Sequence, residues 1–254
     1  MPFTLFHPAL VLPLRRLPKQ WISLTGLIAG SVAPDFEKFA KMKSNNHYSH
    51  TWLSLFYFTL PVGLALCYAF HLLIRNQLLE HLPGRLQQRL LQFRQFHWGR
   101  HVATYYPAVI GSVLLGGASH LLWDLPTHLH SPLIRWLPFL DMPYAVGNLH
   151  IKGFVLVNGI TSLLGVGYLL WRMRALPPTH VPIGRSSASL LYWCTIIGVA
   201  ALALLSKFLL FSTLGTIWDQ IIAVFAALLL GLLLTSLLFR GLQCDILRPT
   251  GQLE

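Results

Sequence analysis

The chain has 254 residues, of which 54% are hydrophobic and only 11% charged, and its mean hydropathy is +0.58. So apolar a composition excludes an ordinary soluble domain and predicts several membrane spans. The net charge of +11 does not argue for nucleic-acid binding, because the basic residues sit in loops between apolar runs, with no basic helix or recognition motif.

Cys67, Cys194 and Cys244 are far apart and form neither a CxxC pair nor a disulfide framework. The N-terminal stretch lacks both a basic region ahead of its apolar part and a small-residue cleavage site, so no removable signal peptide is expected.

Taken in order, residues 3–14 are apolar but interrupted by His7, Pro8 and Pro13. Arg15, Arg16 and Lys19 follow, and residues 21–33 cover only about half a membrane span. A short or re-entrant helical element fits this better than a crossing. Pro34-Asp35-Phe36-Glu37 ends it, and a polar loop runs to Ser49-His50.

Residues 51–74 predict the first full span. The next loop, 75–101, carries Arg75, Arg85, Arg89, Arg94 and Arg100 against one acid, Glu80, the pattern of a cytoplasmic side. Residues 102–123 span back, 124–152 form an external segment, and 153–171 return. Arg172, Arg174 and Arg185 mark a second cytoplasmic loop over 172–189, and residues 190–214 with 217–239 close the chain as a hairpin.

The expectation is an all-α, polytopic transmembrane bundle of about five full spans plus the short N-terminal element. It forms a single membrane domain over 1–254, with its closing hairpin within 190–239. Lys38, Lys41 and Lys43 pull against this orientation and are outnumbered by the other loops. Asp35, His47, His50, Asp124, His128 and His130 then share the non-cytoplasmic side, joined by His7 if the first segment re-enters.

The sharpest signal lies in Gly116-Gly117-Ala118-Ser119-His120-Leu121-Leu122-Trp123-Asp124-Leu125-Pro126-Thr127-His128. Four-residue steps place Ser112, Gly116, His120 and Asp124 on one helical stripe. Small residues on that stripe predict close approach of another helix, and ionisable groups at such depth predict function. An imidazole and a carboxylate one turn apart can share a divalent ion, or can simply hydrogen-bond each other. Asp35 reads equally as a ligand or as the N-cap of a short helix. His47 and His50 flank Tyr48-Ser49 before a span that Ser49 or Thr51 could cap. His7 and His128 are further candidates, His128 as an outer partner of the pair. His71, His81, His97 and His101, on the arginine-rich side, read as interfacial or solvated. Lys207 is close enough to the end of its run to snorkel, and Asn158, Thr161, Ser162 and Gly165 predict a helix-packing face. No P-loop, GxSxG or dinucleotide-binding glycine pattern is present, so nucleophilic serine catalysis has no support.

Several motifs together resemble a bacterial membrane family known as domain of unknown function 4184. They are Met1-Pro2-Phe3-Thr4 with His7-Pro8-Ala9, Gly30-Ser31-Val32-Ala33-Pro34-Asp35-Phe36, Ser49-His50-Thr51 and the Ser119-His120-Leu121-Leu122-Trp123-Asp124 box with Thr127-His128. The resemblance covers residues 1–171 as a core and the closing hairpin loosely. More distantly the chain is similar to LexA-regulated inner-membrane proteins classed as metal-dependent hydrolases. That similarity implies His7, Asp35, His50, His120 and Asp124 as metal ligands; His47 and His128 are candidates for outer partners on their position alone. The His-Arg-Gly box of those proteins is replaced here by His47-Tyr48-Ser49-His50-Thr51, without the arginine that would hold a phosphate.

These readings predict an inner-membrane protein with one or two divalent metal ions, zinc first, in a His/Asp site on the outer face. It would hydrolyse an ester or phosphoester of a lipid-linked or periplasmic small molecule, with Asp124 or Asp35 as ligand or general base. The alternatives are a structural His/Asp cluster in a non-enzymatic membrane protein, and metal or proton transport. Transport ranks lowest, because the inner halves of the spans carry almost no ionisable residues.

Overall fold

The computed structural model describes residues 4–127, 132–147, 149–179, 187–211 and 215–246, and they are predominantly helical. Five helices are long and apolar enough to cross a membrane: Leu55–His81, Trp98–Asp124, Gly153–Arg174, Ala188–Phe211 and Ile217–Leu242. With the shorter elements the order is α1 (Pro8–Val11), α2 (Leu24–Val32), α3 (Phe36–Lys41), α4 (Leu55–His81), α5 (Gly84–Leu90), α6 (Trp98–Asp124) and α7 (Pro132–Trp136). A two-stranded hairpin, β1 (Pro143–Val146) and β2 (Leu149–Lys152), then precedes α8 (Gly153–Arg174), α9 (Ser187–Phe211) and α10 (Ile217–Ile246).

The span ends differ from the apolar limits read from the sequence. Helix α4 starts at Leu55 rather than at residue 51 because the preceding turn is a reciprocal cap. The Ser54 N–H donates to Thr51 Oγ1 at 3.1 Å and the Thr51 N–H donates to Ser54 Oγ at 3.2 Å, a capping box with serine in place of the usual Glu or Gln. Its far end continues through Arg75 to His81 and stops at Leu82, the residue before Pro83. Two stretches of α4, Leu55–Thr59 and Phe70–Ile74, are π-helical. Helix α6 is kinked: Tyr105 is non-helical at φ −127° and ψ 34°, next to Pro107, which cannot donate into the helix.

The chain forms two compact units. One comprises Met1–Phe36, Asn46–Cys67 and Gly99–Ala175, the other Glu37–Asn45, Tyr68–Trp98 and Leu176–Glu254. In the first, α2 and α6 meet backbone to backbone. A Cβ on Gly30 would lie 2.1 Å from the Val113 carbonyl oxygen, one on Gly26 2.9 Å from Ser112 Cβ, and one on Gly116 2.3 Å from the Leu27 oxygen. Gly26-x-x-x-Gly30 on α2 thus faces Ser112-x-x-x-Gly116 on α6, the paired small-residue spacing that lets membrane helices touch. The Ser23 N–H donates to Ser112 Oγ at 2.8 Å and fixes the start of α2 on the same stripe.

Among the described residues the N-terminal segment holds no helix long and apolar enough to cross a membrane. Its nine-residue α2 is about 14 Å long, under half of the roughly 30 Å hydrocarbon thickness. It is preceded by short turns at Thr4–Phe6, Pro8–Val11 and Leu12–Arg16, and Gly165 of α8 lies against them, its Cβ position 3.1 Å from Phe6 Cβ. The segment after α6 holds a β-hairpin the sequence reading did not foresee, with Pro143 opposite Lys152 and Gly147 at φ +60° in the turn.

In the second unit α9 and α10 pack closely, a Cβ on Gly231 lying 2.6 Å from the Ile196 oxygen. The Tyr192 hydroxyl bonds Ser236 Oγ at 2.8 Å. His81, expected at a wet interface, is buried and stacked on Tyr192 at 4.4 Å, and His71 is likewise buried, stacked on Trp98 at 4.6 Å. Lys207 donates to the Met42 carbonyl at 2.9 Å. Met42 itself is left-handed at φ 50°, the C′ residue of a Schellman cap on α3 in which Met42 N–H reaches Phe39 and Lys43 N–H reaches Lys38.

Candidate metal centre

Four separate pieces of chain deliver one polar cluster inside the first unit. His7 sits between the Thr4–Phe6 turn and α1, whose first residue is Pro8, a residue pre-set for a helix start. Asp35 ends the Ala33–Asp35 turn that Pro34 initiates after α2. His50 precedes the Thr51/Ser54 cap of α4, and His120 and Asp124 occupy the last two turns of α6.

Burial is nearly complete: His120 is 0% exposed, Asp35 2% and His7 4%, whereas the His50 side chain retains 16%. The cluster is therefore most exposed at His50.

The distances among these groups are unusual for hydrogen bonds. His50 Nε2 lies 3.4 Å from Asp35 Oδ1 and 3.4 Å from Asp124 Oδ2; His120 Nε2 lies 3.4 Å from Asp124 Oδ2 and 3.9 Å from Asp35 Oδ1. His7 Nε2 is 3.5 Å from Asp124 Oδ1. Hydrogen bonds between such atoms run at about 2.7–3.2 Å. Donors held about 2.0–2.1 Å from one ion at tetrahedral angles stand about 3.3–3.5 Å from one another. The cluster thus has the spacing of a coordination shell. Consistently, the buried nitrogens His7 Nδ1, His7 Nε2 and His120 Nε2 make no hydrogen bond, a costly state in an apolar interior that an ion would relieve at His120 Nε2 and at one of the two His7 nitrogens.

Two triads could hold a metal ion, His7–Asp35–His120 and His50–His120–Asp124, with the ligand atoms of each within 4.8 Å of one another. They share His120, and only one nitrogen of that ring is available. Nδ1 lies 2.7 Å from the Ser31 carbonyl oxygen, which can only accept, so Nδ1 carries the proton and Nε2 the lone pair. One lone pair serves one ion, so His120 cannot complete both triads at once.

Outer contacts fix the other groups. Thr4 Oγ1 donates to Asp35 Oδ2 at 2.5 Å, leaving Oδ1 turned toward His50 and His120. His50 Nδ1 bonds Ser49 Oγ at 2.8 Å, so Nε2 is the nitrogen presented to the carboxylates. The His7 and His120 rings stack at 3.9 Å. Burial, and then the nearby His120 imidazole, push His7 below its ordinary value, so the ring is neutral at pH 7 and its lone pair is available.

Of the residues singled out in the sequence, His7, Asp35, His50, His120 and Asp124 are brought together. His47 is exposed, with its ring against Tyr48, and belongs to neither triad. His128 and His130 lie outside the described residues. Sequence reasoning gave no role to Thr4 or to the Ser31 carbonyl. A threonine three residues before His7 offered a weak hint; a backbone carbonyl offers no side-chain signal, although Gly26-x-x-x-Gly30 would have announced the helix contact that delivers it.

Comparison with curated proteins and with solved structures finds no match for this chain. A family model does match, over residues 1–237, and on that extent the chain belongs to the family described as Domain of unknown function (DUF4184).

Proposed function

We propose that this chain is a membrane-embedded metal-dependent hydrolase acting on an ester or phosphoester, with a single divalent ion, zinc first, among His7, Asp35, His50, His120 and Asp124. One observation carries the reading: the buried nitrogens His7 Nε2 and His120 Nε2, without hydrogen bonds, face carboxylate oxygens of Asp35 and Asp124 at 3.4–3.9 Å. Nitrogen and carboxylate donors in that mix suit zinc, and magnesium or calcium would prefer an all-oxygen set.

An ion bound there supplies an acidified water and a Lewis acid for a carbonyl or phosphoryl oxygen. His120 is locked to present Nε2 by Ser31, and Asp35 to present one oxygen by Thr4. Asp124 is the more exposed carboxylate, with side chains of Asp124 and Asp35 at 10% and 2%. Asp124 is therefore the group that accepts the proton of the attacking water, while Asp35 holds the ion. His50, the most exposed member of the cluster, is where substrate arrives. The site faces the non-cytoplasmic side of an inner membrane, on the charge bias of the arginine-rich loops, and the substrate is lipid-linked or a small molecule of that compartment.

The test is metal analysis of detergent-purified protein together with turnover of a generic chromogenic phosphoester and carboxylic ester. About one zinc per chain is expected, lost in His120→Ala and Asp35→Ala, with hydrolysis abolished in Asp124→Asn while its metal is largely kept. Full metal loading with no hydrolysis of either ester leaves a structural site. No metal in the wild type overturns the reading altogether.

A further inference from the structure

A second polar feature of the chain lies in the other unit and has no part in the metal cluster. Helix α4 is 27 residues long, about 40 Å, so roughly its last 10 Å extend beyond a 30 Å hydrocarbon layer. Arg75 stands where that excess begins and is the first charged residue after Lys43.

Although it is at a helix end, Arg75 is only 8% exposed. Its guanidinium is held by neutral acceptors. Nη1 donates to the Phe96 carbonyl at 2.6 Å and to His71 Nδ1 at 3.1 Å, and Nε donates to Asn76 Oδ1 at 3.1 Å. These contacts use three of its five N–H groups and leave both hydrogens of Nη2. Among the described residues no carboxylate pairs with it. Glu80, the acid nearest in sequence, is taken by Arg94 at 2.6 Å.

The surroundings add positive charge and an amphipathic wall. Arg240 donates to the Leu72 carbonyl at 2.6 Å, three residues before Arg75. His71 stacks on Trp98, which also meets Tyr68 edge-on at 5.8 Å. Aromatic rings with a polar edge and arginines are what the headgroup layer of a membrane selects.

A buried guanidinium with no counter-charge among the described residues is costly, and at this height a lipid phosphate is an available anion. We propose that Arg75 binds the phosphate of an anionic phospholipid. Nη2 donates to the phosphate oxygens, Phe96, His71 and Asn76 hold the fork in place, Arg240 adds charge, and the exposed Tyr68 ring, backed by buried Trp98, lies along the lipid. Arginine suits this role better than lysine, because its planar fork keeps its protein contacts while engaging a phosphate.

The experiment is native mass spectrometry of the full-length protein, titrated with phosphatidylglycerol and, separately, with phosphatidylcholine of the same acyl chains. We expect at least a tenfold preference for phosphatidylglycerol, lost in Arg75→Gln and kept in Arg85→Gln. Equal binding of the two lipids by the wild type, or an Arg75→Gln protein that keeps the preference, overturns the proposal. Should Arg75→Gln fail to fold, a photoactivatable phosphatidylglycerol on the wild type decides: crosslinks at His71, Phe96 or Trp98 support the site, and crosslinks elsewhere only overturn it. An excess of inorganic phosphate should not displace the lipid; displacement assigns the site to soluble anions and overturns the proposal.

Discussion

Replacing Gly30 by alanine should damage the metal centre without touching any of its side chains. The new Cβ would stand 2.1 Å from the Val113 oxygen and 2.8 Å from Val113 Cα, both backbone atoms that cannot swing aside. Restoring ordinary contact near 3.4 Å requires α2 and α6 to separate by about 1.3 Å. Ser31 is the next residue on α2, and its carbonyl holds His120 Nδ1 at 2.7 Å. A shift of that size stretches the bond to about 4 Å, beyond hydrogen-bond range. The expected cost is about 1–3 kcal/mol of stability from overpacking and about 10- to 100-fold in metal affinity from the lost outer contact. Gly111→Ala, on the same α6 but with nothing within 4 Å of its Cβ position, is the control and should be neutral or slightly stabilising. Thermal unfolding in detergent and competition with a fluorescent zinc chelator measure both effects. A Gly30→Ala protein with the melting temperature and zinc affinity of Gly111→Ala refutes the claim that helix contact sets the site's geometry.

Other expectations follow from single contacts. Thr4→Val removes the donor to Asp35 Oδ2 and should weaken zinc binding about tenfold, whereas Thr4→Ser, which keeps the hydroxyl, should stay close to the wild type in the same chelator assay. Met42→Gly relieves a left-handed residue at φ 50° and should stabilise by about 1 kcal/mol, read as a melting temperature higher by about 2–4 °C. Tyr192→Phe, which strips the hydroxyl from its contact with buried Ser236, should destabilise by about 1–2 kcal/mol. Chelation with EDTA should lower the melting temperature of the wild type by several degrees, since an ion that binds only the folded state stabilises it, and should leave that of His120→Ala unchanged.

Much of this was legible because membrane proteins write their constraints plainly. The five spans followed from apolar length, and the 112-116-120-124 stripe proved to be a helix contact ending in the polar cluster, because helical periodicity places those residues on one face. Convergence of His7 and Asp35 on that cluster was not derivable from periodicity, since it depends on a short N-terminal segment whose path is set by Gly26, Gly30 and Gly165. The far end of the first span was misjudged where hydropathy and hydrogen bonding part, since Arg75 and Gln77 are polar yet helical, whereas Thr51, offered as a cap, is one. The β-hairpin carried a signal, Gly147-Asn148 between Tyr144/Val146 and Leu149/Ile151, that is easily overlooked in a chain this rich in helix. His71 and His81 were misread because charge pattern reports the side of a membrane and says nothing of local aromatic packing.

The most direct test of the metal centre is X-ray absorption at the zinc edge on the purified protein. A first shell of nitrogen and oxygen at about 2.0–2.1 Å, with the outer scattering of two or three imidazoles that drops by one in His50→Ala, is the predicted result. A spectrum of zinc in an oxygen-only shell, unchanged by His50→Ala and His120→Ala, would place the ion elsewhere and contradict the account.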